Sequence, residues 1–365
     1  MRTRCVGIVG LGLIGGSLGL AFTGSRRFAA VIGYDLAPAA GEAALAAGAV
    51  TEIAPGLADL AAAETIVVAT PVRAVVPTVA ALLPHLRPGT ILTDVASTKA
   101  EIVAAIAPIL PEGVFFVGGH PFAGSERAGL GAADAYLFEN AAYVLVTEPA
   151  APEWVYEELR AVLACTGAKF LHLSPREHDL IAAGVSHLPH LAAAALVAAA
   201  GELEAGHPAA LALAGGGFRD TTRIAGGDPS LWAEILSTNR GPILEVLGLF
   251  RAALDRFAEA LDRGDEAALT GLLASARRIR EEIPARGKGL LGKVEELVVA
   301  VQDRPGAIKE VLDVLAGVGI NIKDIEILRL REGEGGTLRL AVEDEPTLAK
   351  ALDLLRSAGF SARRR

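Results

Sequence analysis

The sequence predicts an α/β protein of three parts: a parallel sheet wrapped by helices, an all-helical segment, and a small α+β module. Three observations carry this. Short β-rich apolar runs at 6–9, 31–34, 66–69, 91–95 and 114–117 alternate with Ala/Leu-rich stretches of helical length, the pattern of a parallel sheet with helices on its faces. Further strand-like runs at 143–146 and 169–173, with a helix over 152–164 between them, extend this part to residue 173. From Ser174 to about Ile283 the apolar spacing is helical, broken by glycines at 215–217 and 226–227. After a Pro-, Gly- and Lys-containing linker at 284–293, the remainder reads βαββα. The expected divisions are 1–173, 174–285 and 294–365.

A chain of 365 residues exceeds what one core usually organises. With 52% hydrophobic residues but only 5% aromatics, its cores must be built from Ala, Val, Leu and Ile. A net charge of −9 gives no general attraction for nucleic acid or anionic lipid, so an anionic substrate must be caught by specific residues. Cys5 and Cys165 stand far apart in apolar runs, which suits reduced, buried thiols in a cytoplasmic protein and neither a disulfide nor a metal site. Arg2 and Arg4 precede an apolar run, but the glycines inside it fit strand, turn and helix better than a secretory signal. The Ala-rich stretch 191–200 is too short to cross a bilayer and is expected to be a packed core helix.

Residues 10–17 read GLGLIGGS, directly after a strand and at the start of a helix. Gly10, Gly12 and Gly15 have the spacing in which the first glycine makes a tight turn, the second admits a pyrophosphate, and the third lets helix and strand pack closely. Leu13 and Ile14 complete the turn, the helix N-terminus faces the negative charge, and Thr70 follows the next core strand. Asp35 ends the second strand, where a carboxylate accepts from ribose hydroxyls and repels a 2′-phosphate. The pattern is that of a Rossmann-type domain binding NAD. The alternative for Asp35 is a solvated strand-end acid.

Two further strand ends carry polar groups. The run at 91–95 leads into DVASTK (94–99), and that at 114–117 into GGHPFAGSE (118–126). Carboxyl ends of strands line the ligand crevice of an open α/β sheet. The helical part contributes VSHLPH (185–190) and FRDTTRIA (218–225), followed by Trp232. In this order the motifs resemble the prephenate and arogenate dehydrogenase family, across nearly the whole chain. The resemblance implies oxidative decarboxylation of prephenate to 4-hydroxyphenylpyruvate with NAD, in tyrosine biosynthesis. It implies that His120 takes the ring-hydroxyl proton, oriented by Ser97, and that Arg223 clamps a substrate carboxylate. His187, His190, Ser125, Glu126 and Trp232 would line the pocket.

Each assignment has a structural competitor: His120 capping a strand, Ser97 capping a helix that starts at Thr98, Arg223 paired with Asp220, His187 and His190 as satisfied core residues, Glu126 as a helix-start signal, Trp232 as core packing. His178, in SPREHD, opens the helical part without an assigned role. Arogenate is the alternative substrate. A β-hydroxyacid dehydrogenase is more remote, because the helical region SHLPHLAAAAL lacks the lysine those enzymes use. A non-catalytic sensor would have no need of His120, Ser97 and Arg223 together.

Residues 302–325 resemble the ACT domain, a regulatory fold that binds amino acids between paired modules. The resemblance implies an effector site at Asp303, Pro305, Gly306 and Asn321, with tyrosine as the natural end-product effector; a purely dimerising module is the alternative. The length and apolarity of the helical part predict a homodimer.

Overall fold

The computed structural model describes residues 4–124, 127–283, 294–331 and 335–364. Contacts divide the chain into two compact units, Met1–Ala276 and Arg277–Arg365.

The first unit opens with β1 (Cys5–Val9), α1 (Leu13–Ser25), β2 (Ala30–Tyr34), α2 (Pro38–Ala46), β3 (Glu52–Ile53), β4 (Thr65–Val68), α3 (Val72–Leu82), β5 (Ile91–Asp94), α4 (Ala100–Ile106) and β6 (Phe115–Val117). The strands form one parallel sheet in the order β3-β2-β1-β4-β5-β6. Because β2 lies on one side of β1 and β4 on the other, the strand order reverses between β1 and β4, and that switch opens a ligand crevice at their carboxyl ends. The register aligns Val9 with Tyr34 and Val68, and Val68 with Asp94, so Gly10, Asp35 and Thr70 follow neighbouring strand ends. Val6, Ile8, Ile66, Val67, Val68 and Leu92 are buried, as expected for strands covered on both faces. The short edge strand β3 was not foreseen; at two residues it has too little pattern to read.

The run expected at 114–117 is β6, but the GGHP that follows it does not simply trail into a loop. The strand stops at Val117, and β7 (Gly119–Pro121) starts a second sheet, antiparallel to β8 (Ala142–Val146), which pairs in parallel with β9 (Lys169–Leu173). The helix α5 (Glu153–Leu163) joins β8 to β9. Glycine is required at the crossing: a Cβ on Gly119 would lie 2.6 Å from the Asp94 carbonyl oxygen, and one on Gly118 2.8 Å from Val146 Cγ2.

The helices α6 (Pro175–Ala182) and α7 (Leu188–Gly206), joined by a π turn over Ala183–His187, form one helical run, followed by α8 (Gly216–Thr222), α9 (Pro229–Thr238), α10 (Arg240–Asp262) and α11 (Glu266–Glu282). Ser174 starts α6 with reciprocal bonds to Glu177. The stretch 191–200 is not a packed core helix. On α7 only His190 and Ala193 are buried, while Leu196, Val197 and Leu203 are 42%, 40% and 55% exposed. The run Pro175–Gly206 is long and apolar enough to cross a membrane by length and composition, and on α10 Leu244, Leu249 and Leu254 are exposed as well.

The second unit contains β10 (Glu295–Val301), α12 (Ala307–Ala316), β11 (Asp324–Arg331), β12 (Gly335–Val342), α13 (Glu345–Ser357) and β13 (Ala362–Arg364). The expected βαββα order gains a last strand, paired antiparallel with β10, in the sheet order β11-β12-β10-β13. Leu297, Val299, Leu338 and Leu340 pack with Val311 and Leu315 of α12 and Leu348 and Leu355 of α13. Among the strand residues Arg339 is buried, and its guanidinium meets Glu296, Asp324 and Glu326 at 2.6, 2.5 and 2.9 Å. The expected linker 284–293 lies outside the described residues.

Candidate functional site

At the crevice, Gly10 adopts φ +91°, and a Cβ there would lie 2.5 Å from the Ala69 carbonyl oxygen. A Cβ on Gly15 would fall 1.9 Å from the Gly10 carbonyl oxygen, so helix and turn touch there. Gly12, at the N-cap of α1, faces open space. Asp35 accepts from the backbone N–H of Leu11 at 2.8 Å and of Ala37 at 2.9 Å, which braces the glycine turn and leaves each oxygen a further lone pair. The Thr70 hydroxyl is buried with no partner among the described residues. An open glycine, an orphaned hydroxyl and a fixed carboxylate around one helix N-terminus fit a dinucleotide. Leu13 and Ile14 form the first turn of α1, half-buried.

Beside this crevice His120, on β7, is 8% exposed. Its Nδ1 lies 2.8 Å from Nε2 of His178, whose Nδ1 lies 2.8 Å from Oδ1 of Asp179. The carboxylate also accepts from the backbone N–H of Lys99 (2.7 Å, Oδ1) and of Ala100 (2.8 Å, Oδ2). These amides can only donate, so Asp179 accepts on both oxygens and the protons of the chain are assigned in turn. His178 donates from Nδ1 and accepts at Nε2; His120 donates from Nδ1 and keeps a lone pair on Nε2. The arrangement supplies a neutral base with its free nitrogen at the carboxyl end of the sheet. Burial above all, then the nearby His178, Lys99 and His187, holds the His120 imidazole well below its ordinary 6.5.

The orienting partner of His120 is thus His178, where Ser97 was expected. Ser97 is half-buried two residues before the helix cap and makes no hydrogen bond among the described residues. Nor does a helix start at Thr98: α4 begins at Ala100, and its first amides are capped from another segment by Asp179. Beneath them Lys99 Nζ pairs with Asp94 Oδ2, both fully buried, and Asp94 also accepts from Ala96 N (3.0 Å) and Gly119 N (3.1 Å), which ties β5 to the strand bearing His120. The legible signal for the missed residues was the dipeptide His178-Asp179 just inside a capped helix start. A long-range cap leaves no local pattern.

On the helical side His190 stacks on Trp232 at 3.6 Å and 13°, with His187 edge-on to the same indole at 6.2 Å. Gly227 permits this, since a Cβ there would lie 2.7 Å from Trp232 Nε1. His187 Nδ1 contacts Asn239 Nδ2 at 3.0 Å, and Asn239 donates to the Asp179 carbonyl at 2.8 Å. Arg223 opens the 3-10 turn Arg223–Gly226 that packs on α7; its side chain is exposed, with an interaction of its own. Ser125 and Glu126 lie outside the described residues. Arg73 donates to Ser237 at 2.9 Å and Thr98 meets Thr238 at 3.1 Å, so α3 and the segment before α4 are fastened to α9.

In the second unit Asp303 and Pro305 precede Gly306, which caps α12 with φ +89°. Arg304 forks onto Glu310 at 2.8 and 2.6 Å. Asn321 follows the far end of α12, roughly 15 Å from Gly306 along the axis, so one copy does not bring them together.

Replacing Asp179 by Ala leaves two helix amides and His178 without their acceptor. We expect a loss of about 2 to 4 kcal/mol in denaturant unfolding. A loss below about 0.5 kcal/mol would contradict this bracing role.

Three family models match in order: the prephenate dehydrogenase nucleotide-binding domain over residues 18–172, the prephenate dehydrogenase dimerization domain over 174–275, and the ACT domain over 296–360. The prephenate dehydrogenase of Bacillus subtilis is 35% identical over 346 residues, 94% of this chain and 93% of that protein. That of Lactococcus lactis is 34% identical over 96% of this chain and 97% of its own. A solved prephenate dehydrogenase from A. aeolicus, in complex with hydroxyphenyl propionate and NAD+, superposes with a TM-score of 0.72 at 29% identity, over 78% of this chain and 99% of that one. Synechocystis arogenate dehydrogenase gives 0.68 at 35% identity, over 76% and 99%. With its site, its three parts and these relatives in agreement, the chain belongs to the prephenate dehydrogenase family.

Proposed function

We propose that the protein is an NAD-dependent prephenate dehydrogenase, converting prephenate to 4-hydroxyphenylpyruvate and carbon dioxide. The observation that carries this is the chain from Asp179 through His178 to His120, which leaves a neutral Nε2 lone pair beside the dinucleotide crevice. NAD, when bound, supplies the hydride acceptor. Gly10, Gly12 and Gly15 admit its pyrophosphate, Asp35 receives the ribose hydroxyls, and the orphaned Thr70 hydroxyl finds a partner there. His120 Nε2 takes the proton of the ring hydroxyl as the carbon bearing it gives up hydride, and the ring carboxylate departs as the ring becomes aromatic. Ser97, half-buried ahead of α4, is assigned to help orient the His120 imidazole once substrate is bound. Arg223 offers a planar fork to a substrate carboxylate, with His187, His190, Trp232, Ser125 and Glu126 as pocket wall.

The apolar faces of α7 and α10 are best covered by a second copy, which makes the enzyme a homodimer, and the free thiols of Cys5 and Cys165 suit a cytoplasmic location. We retain residues 1–173, 174–285 and 294–365 as the functional divisions. Arogenate is the second reading, favoured by the likeness to the Synechocystis enzyme. NADH formation on adding prephenate and NAD, with far less from NADP, is the expected result. His120→Asn is expected to lower kcat on the order of 10² to 10⁴-fold with NAD affinity intact. Silence of the parent with prephenate, or a fully active variant, would overturn the reading.

Tyrosine binding at the turn of Asp303, Pro305 and Gly306, with Asn321 drawn from a paired module, would make the second unit a feedback device. L-tyrosine should slow the intact enzyme and leave a chain lacking 294–365 unaffected; equal kinetics with and without tyrosine in the intact enzyme would refute it.

A further inference from the structure

His187 is 1% exposed, yet only one of its ring nitrogens has a partner among the described residues. Nδ1 faces Asn239 Nδ2 at 3.0 Å, and the same amide nitrogen donates to the Asp179 carbonyl oxygen at 2.8 Å. That carbonyl settles the orientation of the amide, because the flipped form would set two oxygens against each other. An amide nitrogen only donates, so Nδ1 must accept, and the ring proton resides on Nε2. Burial, the largest influence, pushes the imidazole down to about 4, so the ring stays uncharged at neutral pH. The result is a neutral Nε2–H donor that cannot become an acceptor while Asn239 is in place. A buried donor left unmade costs about 1–3 kcal/mol, which a ligand acceptor would relieve.

The place of His187 says which end of the ligand that acceptor occupies. It lies roughly 13 Å along the helical run from His178, the residue that holds the proton acceptor. It shares Trp232 with His190. His187 is near enough to His120 to act on its charge, so a ring with its hydroxyl at His120 Nε2 and its opposite carbon toward Trp232 would bring the side chain there to His187. A side-chain keto oxygen can only accept a hydrogen bond, and the ammonium of the corresponding amino acid can only donate one.

We propose that Asn239 is a positioning residue that locks His187 as an Nε2–H donor for the side-chain keto oxygen, making the pocket select the keto acid over the amino acid. This rests on the dehydrogenase reading above and deepens it to substrate choice.

The test is kcat/KM for prephenate and for arogenate, with saturating NAD, in the full-length parent, in Asn239→Leu, which frees the tautomer, and in His187→Gln, whose amide can present either a donor or an acceptor. The parent should prefer prephenate by on the order of 10- to 100-fold. In both variants that preference should fall by about tenfold, chiefly through loss of prephenate turnover, with the KM for NAD unchanged. A parent that uses both substrates equally well, or a folded His187→Gln enzyme with the parental preference, would overturn the proposal and leave the dehydrogenase reading intact. A parent active on neither substrate would instead sink that reading. Should both variants fail to fold, the ¹⁵N-histidine spectrum of the NAD-bound parent decides: an Nε2–H tautomer at His187 supports the lock, and an Nδ1–H tautomer refutes it.

Discussion

The carboxylate of Asp179 is the contact on which the site depends. It closes the N-terminus of α4 and fixes the proton on His178, while its own carbonyl aligns Asn239 beneath His187. One residue near the start of the helical run thus sets the hydrogen-bond direction of two histidines and fastens that run to the parallel sheet. Carboxylates serve well here because they only accept, so every group hydrogen-bonded to them must donate. The protonation pattern then propagates outward without ambiguity.

The fully buried Asp94–Lys99 pair has a complementary role. A buried ion pair is costly to desolvate and contributes to stability only where further hydrogen bonds satisfy it, as Ala96 and Gly119 do for Asp94. The lysine charge also adds to the burial that keeps His120 unprotonated. Gly118 and Gly119 are needed beside this pair because a Cβ on Gly119 would strike the Asp94 carbonyl oxygen and one on Gly118 would strike Val146 and crowd Lys99 Cδ, which gives a packing reason for the double glycine before the histidine. Catalytic poise and backbone composition therefore have a common origin in one crowded strand crossing.

Much of this was legible in the residues. The glycine turn, Asp35 and the alternation of strands and helices obey local rules, and the parallel sheet with its crevice follows from them. The second sheet that starts at Gly119 was not legible, because three residues carry too little pattern and only the close approach to Asp94 shows why the chain leaves the first sheet there. The partner of His120 was missed for a different reason: His178 and Asp179 are remote in sequence and act through a cap supplied across space, whereas Ser97 was near at hand. Helix α7 was misread as core since its composition matches a buried helix; burial depends on what packs against it, and its outer face has no partner among the described residues. The final strand β13, three residues with two arginines, carries too little pattern to be found.

The most direct test of the account is the pH dependence of kcat/KM for prephenate. A buried, neutral His120 should keep its lone pair well into acid, so activity should hold through neutrality and fall only on an acidic limb below 6.5, the ordinary value for histidine. An acidic limb at or above that value would mean that the proton acceptor is not the buried imidazole described here, and the central claim would fail.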